Sequence, residues 1–491
     1  MNKDLLDKRE SRTSFKSDRK FKVWLVSIIF GIGLVWTLPI PFGGSPDEPT
    51  YLEYGLFQTQ VFSGDTVNKS TYMNITNSSC FAFKINIPAN CQKFEVGTQV
   101  MHLSDTALIN YPKPWFYLTS WPALFLSGEI ALIATKFLSF LLSFCMLLIP
   151  IYYWKNDFRK LLISIAFGIT PLALSMIGAY NPNNLEIFSS IGIALMLFGK
   201  ETHQKKRNES RSYWAWLLIM VFLASTAKPL SGAFVFSIFS LYGLYLFRIG
   251  KIRGLPSESA FEKSELKIIG GIGFLSLPIT LLFSWPSIRQ ADTIPVGQAK
   301  VNNLHTLLNF LIRSYDYFIE HAGLFGWRDL APAPWMLIVW LILIFQIFNK
   351  LARETSRFDR AILTGLWLIV IFIAPAIQSI LLAHQYNVGL QTRYLSGLFG
   401  AVSIYTVAFL GETSLKFALN TIKLWASLAL MNGVWLFVRH SFGITPALTS
   451  EPRIIIDQIK NSTNWIPATW PFILLTLLAL LILLKSQPTE F

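Results

Sequence analysis

Only 28 of the 491 residues are acidic, yet Asp47 and Glu48 stand side by side in GGSPDEPTYLEYG, Gly43 to Gly55, directly after a long apolar run. Adjacent carboxylates repel, so they are not placed side by side without reason. Such a pair can accept a proton from a hydroxyl while the neighbour orients it or binds a metal ion. Two acids between Pro46 and Pro49 can equally well do no more than cap the helix that follows, since an acid suits the N-cap and proline the first helical position. Sequence alone leaves both roles open.

Cations come next. Lys228 lies in STAKPLSG and Arg393 in LLAHQYNVGLQTRYLSG, each at the end of an apolar run. There they can hold a phosphate, Arg by a bidentate fork and Lys as a point charge, or simply snorkel to lipid headgroups. Arg328 of GLFGWRDLAPAP is a third candidate for the phosphate, and Asp329 beside it can form a surface turn with it or meet a substrate. Lys136, about two turns inside another run, either snorkels or joins the clamp. Asn181 and Asn183 in GAYNPNNLE, with His384 and Gln391, add polar groups suited to loop or acceptor contacts. No second His or Cys stands near His384 at metal-binding spacing. A divalent cation such as Mg²⁺ or Mn²⁺ stays open as a cofactor, with Asp47 and Glu48 as its only visible ligands.

The elements that carry these residues follow from composition. The chain is 53% hydrophobic and 14% charged, against about 25% charged in soluble domains, so the bilayer is its solvent. The net charge of +14 is spread as short basic clusters between apolar runs, as the positive-inside rule requires, which argues against nucleic acid as a partner. About twelve runs are long enough to span: 23–41, 130–153, 160–179, 184–200, 212–227, 229–247, 267–285, 333–349, 361–383, 394–411, 417–439 and 466–485. The fold class is therefore an all-α polytopic membrane protein. Residues 1–22 form a basic cytoplasmic N-terminus, residues 23–485 a single transmembrane domain, and residues 486–491 a cytoplasmic tail. The first span has no small-residue cleavage site after it and reads as a signal anchor.

Placing the basic connections in the cytoplasm puts both termini there. It also requires that Trp115 to Ser127, thirteen aromatic-rich residues, lie at the outer interface without crossing. Four loops then face outward, roughly 42–129, 286–332, 384–393 and 440–465, of which 42–129 reads as a folded cap. Cys80 and Cys91 in that loop permit a disulfide or stay as two thiols. Asn68, Asn74, Asn77 and Asn461 stand in N-x-S/T triplets on the same face. All the polar candidates named above except Lys136 gather at outer ends of spans.

SPDEPTYLEYG, YPKPWFY, NPNNLEI, AKP, FGWRDLAPAP and QTRYLSG, in this order, resemble the bacterial and archaeal membrane proteins grouped as domain of unknown function 2142, which look like GT-C glycosyltransferases. The resemblance implies a plasma-membrane enzyme that moves a sugar from a polyprenyl-phosphate donor to a cell-surface glycan or lipid with inversion. It assigns Asp47 as base or acceptor ligand with Glu48 as neighbour, and Arg393 and Lys228 as holders of the phosphate. No phosphate loop of the G-x-x-x-x-G-K type is present for a nucleotide-sugar donor. A glycan ligase or polymerase, and a transporter or flippase of lipid-linked sugars, are the alternative expectations. Transporters gather polar groups at the midplane, whereas here they collect at one face.

Overall fold

A computed structural model describes residues 3–38, 40–41, 44–45, 47–48, 51–52, 54–55, 84, 86–87, 112–126, 128–155, 157–200, 211–228, 231–252, 263–291, 303–312, 314–323, 334–377, 379–380, 392–411 and 413–442, and parts of 474–485. Among them the protein is helical with no strand. In chain order the helices are α1 (Lys3–Thr37), α2 (Pro114–Ser120), α3 (Gly128–Tyr153), α4 (Phe158–Gly168), α5 (Pro171–Ile177), α6 (Asn183–Phe198), α7 (Arg211–Ser225) and α8 (Ser231–Ile252). They continue as α9 (Lys263–Ala291), α10 (Asn303–Ile312), α11 (Ser314–Gly323), α12 (Pro334–Glu354), α13 (Arg357–Leu368), α14 (Ser396–Ala408) and α15 (Leu415–Phe442).

Each of the twelve expected runs carries helix among its described residues. Six helices are long and apolar enough to cross a membrane, or seven if α4 and α5 count as one broken span. Helices α6 and α7 and the apolar part of α9 are apolar but shorter. The run 160–179 is not one straight helix. It turns by 80° between α4 and α5, because Thr170 caps the second helix, accepting from Ala173 N at 3.1 Å, and Pro171 takes its first position.

Helix α6 lies at the centre. Every one of its residues is buried, which fits a helix that is apolar nearly all round, and it packs between α3, α7, α8 and α14. Outer helices are apolar on both sides. Helix α12 buries Met336, Trp340 and Leu343 yet exposes Ile338, Ile342 and Phe345, as a lipid-facing helix does. Helix α13 runs on through a π turn, Ile369–Ile373, with Ile369, Phe372 and Ile373 likewise exposed.

The segment expected at the outer interface is short: α2 followed by a single 3-10 turn, Trp121–Leu124. Trp115, Phe116, Thr119 and Ser120 face the protein, while Trp121, Leu124, Phe125 and Leu126 are exposed. It is too short to span. Most of the expected 42–129 cap, with Cys80, Cys91, Asn68, Asn74 and Asn77, lies outside the described residues, as does Asn461.

Candidate functional site

The site forms where the end of α1, the N-terminus of α6, the turn before α8 and the turn before α14 meet. At each of these places the chain changes direction, so a polar side chain is carried by a helix end rather than by a span.

Asp47 and Glu48, adjacent in sequence, serve different environments. Glu48 is fully buried. Its carboxylate accepts from Ser45 N at 3.2 Å and from Tyr180 N at 3.0 Å, and lies 3.2 Å from Lys136 Nζ. Lys136 in turn donates to the carbonyls of Ile40 at 2.7 Å and Pro41 at 3.3 Å. This network corrects two expectations: Glu48 is a structural anchor and not a partner to Asp47 in proton transfer or metal binding, and Lys136 neither snorkels nor joins a clamp. Its charge is consumed in tying the chain after α1 to α3.

Asp47 alone faces the site. It adopts φ 62°, the sole non-glycine positive φ among the described residues, a conformation that costs an ordinary residue about 1–3 kcal/mol and clusters at functional sites. Its carboxylate is 45% exposed and accepts a charge-assisted bond from Arg393, 346 positions away. The Asp47 carbonyl accepts from Tyr51 N at 3.0 Å, the first bond of the helical turn that follows.

Arg393 sits in a 3-10 turn, Thr392–Leu395, held from the other side by Glu320, which accepts from Thr392 N at 3.4 Å and from its hydroxyl. Tyr394 neighbours two cations. Its ring centroid is 4.0 Å from Lys228 Nζ and 5.2 Å from the Arg393 guanidinium carbon. Lys228 lies 3.8 Å from Glu186 Oε2, one turn into α6. Burial pushes the Lys228 ammonium down to about 7; Glu186 opposes that shift, Arg393 adds to it and Asp47 opposes it.

The result is a row of charges, Asp47, Arg393, Lys228 and Glu186, with an acid at each end and two cations between. Asp47 is the open end of the row, and the other three members are buried, Glu186 at 2% exposed. Two cations beside one aromatic ring have the chemistry to meet a dianionic group such as a phosphate, with Asp47 the most open member of the row.

Asn181 and Asn183 are both closed to solvent, so neither is available to an acceptor in this conformation. The Asn181 side chain accepts from Asn183 N at 3.0 Å and its carbonyl from Asn184 N at 2.9 Å, shaping the entry to α6. The Asn183 amide is buried without a hydrogen-bond partner. Arg328, Asp329, His384 and Gln391 lie outside the described residues. Among the described residues no group of three or more His, Cys, Asp or Glu is arranged to hold a metal ion, and with Glu48 committed elsewhere the acid pair does not fit one. Glu186 and Glu320 were not singled out by sequence. Glu186 had a signal, since an acid inside an apolar run is costly and marks a functional position, whereas Glu320 in a polar stretch had none.

Helical architecture, apolar outer faces and a charged site at the helix ends define a polytopic membrane protein. Residues 30–401 match the family described as Predicted membrane protein (DUF2142), and the chain belongs to that family. No curated protein and no solved structure matches it.

Proposed function

We propose that this protein is a membrane glycosyltransferase that takes a sugar from a polyprenyl-phosphate donor and delivers it to a hydroxyl of a cell-surface glycan or lipid. The observation that carries the reading is the Asp47–Arg393 pair with Lys228 behind it: an open carboxylate beside two sheltered cations. In this reading the chain crosses the plasma membrane twelve times with both termini in the cytoplasm, which leaves this group on the outer face, where a lipid-held donor and a water-borne acceptor meet.

In the reaction the bond between the anomeric carbon and the phosphate oxygen breaks, and its electron pair stays on the phosphate. Arg393 and Lys228 stabilise the charge that develops there. The acceptor oxygen attacks from the opposite face and its proton passes to Asp47, so configuration inverts. In the resting protein Arg393 holds Asp47. An arriving phosphate competes for that guanidinium and releases the carboxylate to act as base.

The test is surface-glycan analysis by sugar composition and linkage NMR in cells with wild type, a deletion, or Asp47→Asn at matched membrane level. Loss of one side-branch sugar in both mutants, with the backbone glycan intact, is the expected result. Loss of the whole glycan points to a ligase or polymerase. Accumulation of unconsumed lipid-linked sugar on the inner leaflet points to a flippase. An intact glycan in Asp47→Asn beside a defective deletion removes Asp47 from the chemistry.

A further inference from the structure

Glu186 is the member of the charge row for which the reaction above has no use. It is closed to solvent, its Oε1 has no hydrogen-bond partner, and its Oε2 is 3.8 Å from Lys228 Nζ. It is too deep to touch an acceptor. Replacing such a buried ion pair by apolar side chains is often neutral or stabilising, so fold stability is a poor reason for its presence.

Lys228 needs help to be a cation where it is. Its Nζ is buried without a hydrogen bond, against the face of Tyr394. Four groups from three other parts of the chain face it: Glu186 from α6, Arg393 and Tyr394 from the turn before α14, and Asp47 from the loop after α1. Arg393 repels a proton on Lys228. Asp47 attracts one but is itself engaged by Arg393 and open to water, which screens it. Glu186 lies within 4 Å of Lys228 and is shielded from water, so in its ionised form its field on Lys228 is the strongest available.

We infer that Glu186 is a positioning residue that keeps Lys228 protonated and aimed at the donor phosphate. The inference rests on the reading of Arg393 and Lys228 as the phosphate site. Glu186 acts through Lys228 and never touches the substrate. Burial that pushes the ammonium toward neutrality is the reason such a counter-charge is needed.

The test uses purified full-length protein in detergent, with farnesyl monophosphate, a short prenyl phosphate lacking a sugar, as probe. Its Kd is followed from about pH 6 to about pH 9.5. Wild type weakens about tenfold as Lys228 loses its proton, the size of one charge-assisted contact. Glu186→Gln weakens in the same way at a pH about one unit lower. Lys228→Arg, whose guanidinium stays charged, lacks the fall and supplies the baseline for the ionisation of the phosphate itself. The double variant Glu186→Gln/Lys228→Arg follows Lys228→Arg, because a permanently charged side chain no longer needs Glu186 to hold its proton.

A Glu186→Gln profile that overlays wild type overturns the inference, and so does a double variant as weak as Glu186→Gln alone. If Lys228→Met and Arg393→Met both leave Kd unchanged at every pH, the phosphate site itself falls. That outcome is distinct from the other two, in which wild type still shows the Lys228-dependent fall.

Discussion

The Glu48 carboxylate and the Lys136 ammonium lie 3.2 Å apart with side chains 0% and 2% exposed, and both also bind backbone groups. Removing one partner leaves an uncompensated buried charge. Glu48→Ala is therefore expected to cost about 3–5 kcal/mol, read as a lower thermal midpoint of the purified protein in detergent. Glu48→Gln/Lys136→Met removes both charges and recovers most of that loss. Equal instability of single and double variants would mean that the hydrogen bonds to Ser45 and Tyr180 matter and the charges do not.

Asp47→Gly separates strain from chemistry. Glycine adopts φ 62° without the usual penalty, a gain of about 1 kcal/mol, while Arg393 loses its bond to Asp47. The two effects oppose, so stability is expected to stay within about 2 kcal/mol of wild type while sugar transfer is lost. A variant that still transfers sugar removes Asp47 as the base.

Arg393→Lys keeps the charge but loses the planar fork that meets both Asp47 and a phosphate. Prenyl-phosphate binding is expected to weaken about 10- to 100-fold, measured by titration at one pH. Unchanged affinity would show that only the charge is read there.

Gly178→Ala addresses how the site is supported. A Cβ at Gly178 would stand 2.4 Å from the Trp36 carbonyl oxygen and 2.8 Å from Thr37 Cα, so α1 and the end of α5 must separate. The expected cost is about 1–3 kcal/mol, with a matching drop in activity because Tyr180, two residues on, binds Glu48. Full activity with normal thermal stability would show that the contact can open without reaching the site.

Lys228 also links stability to pH. Its folded pKa of about 7 lies below the ordinary 10.5, so between those values the unfolded chain holds more protons, and stability contributed by this residue rises with pH across that window. Relative to Lys228→Arg, the wild-type thermal midpoint is expected to climb from about pH 7 to about pH 9. Parallel curves for the two proteins would place the Lys228 pKa outside the window.

The helical runs were legible because span length and charge placement follow from the bilayer alone. The break inside 160–179 was legible too, in the Thr170-Pro171 cap signature, but an unbroken apolar run outweighs two residues when hydropathy is averaged. Asp47, Lys228 and Arg393 stood out as charges at run ends. That Glu48 would turn inward was not readable, since its direction is set by Lys136 in α3 and the Tyr180 backbone, both distant in sequence. Glu186 was hidden by its own motif, NPNNLEI, in which the asparagines draw attention to the turn and away from the first helical turn behind it.

The hydroxyl of Tyr180 meets Ser120 at 2.5 Å and Thr119 at 2.9 Å, both on α2, and its backbone N–H meets Glu48, the residue next to Asp47. Through Tyr180, three contacts thus join the segment bearing Trp121, Phe125 and Leu126 to the neighbour of Asp47. Exposed aromatic and aliphatic groups of this kind suit a membrane interface, and here hydrogen bonds link them to the chain that carries Asp47. On the proposed reading of Asp47 as the base, the depth at which this segment settles among the headgroups sets the height of the carboxylate, so bilayer thickness becomes a dial on how far an acceptor must reach.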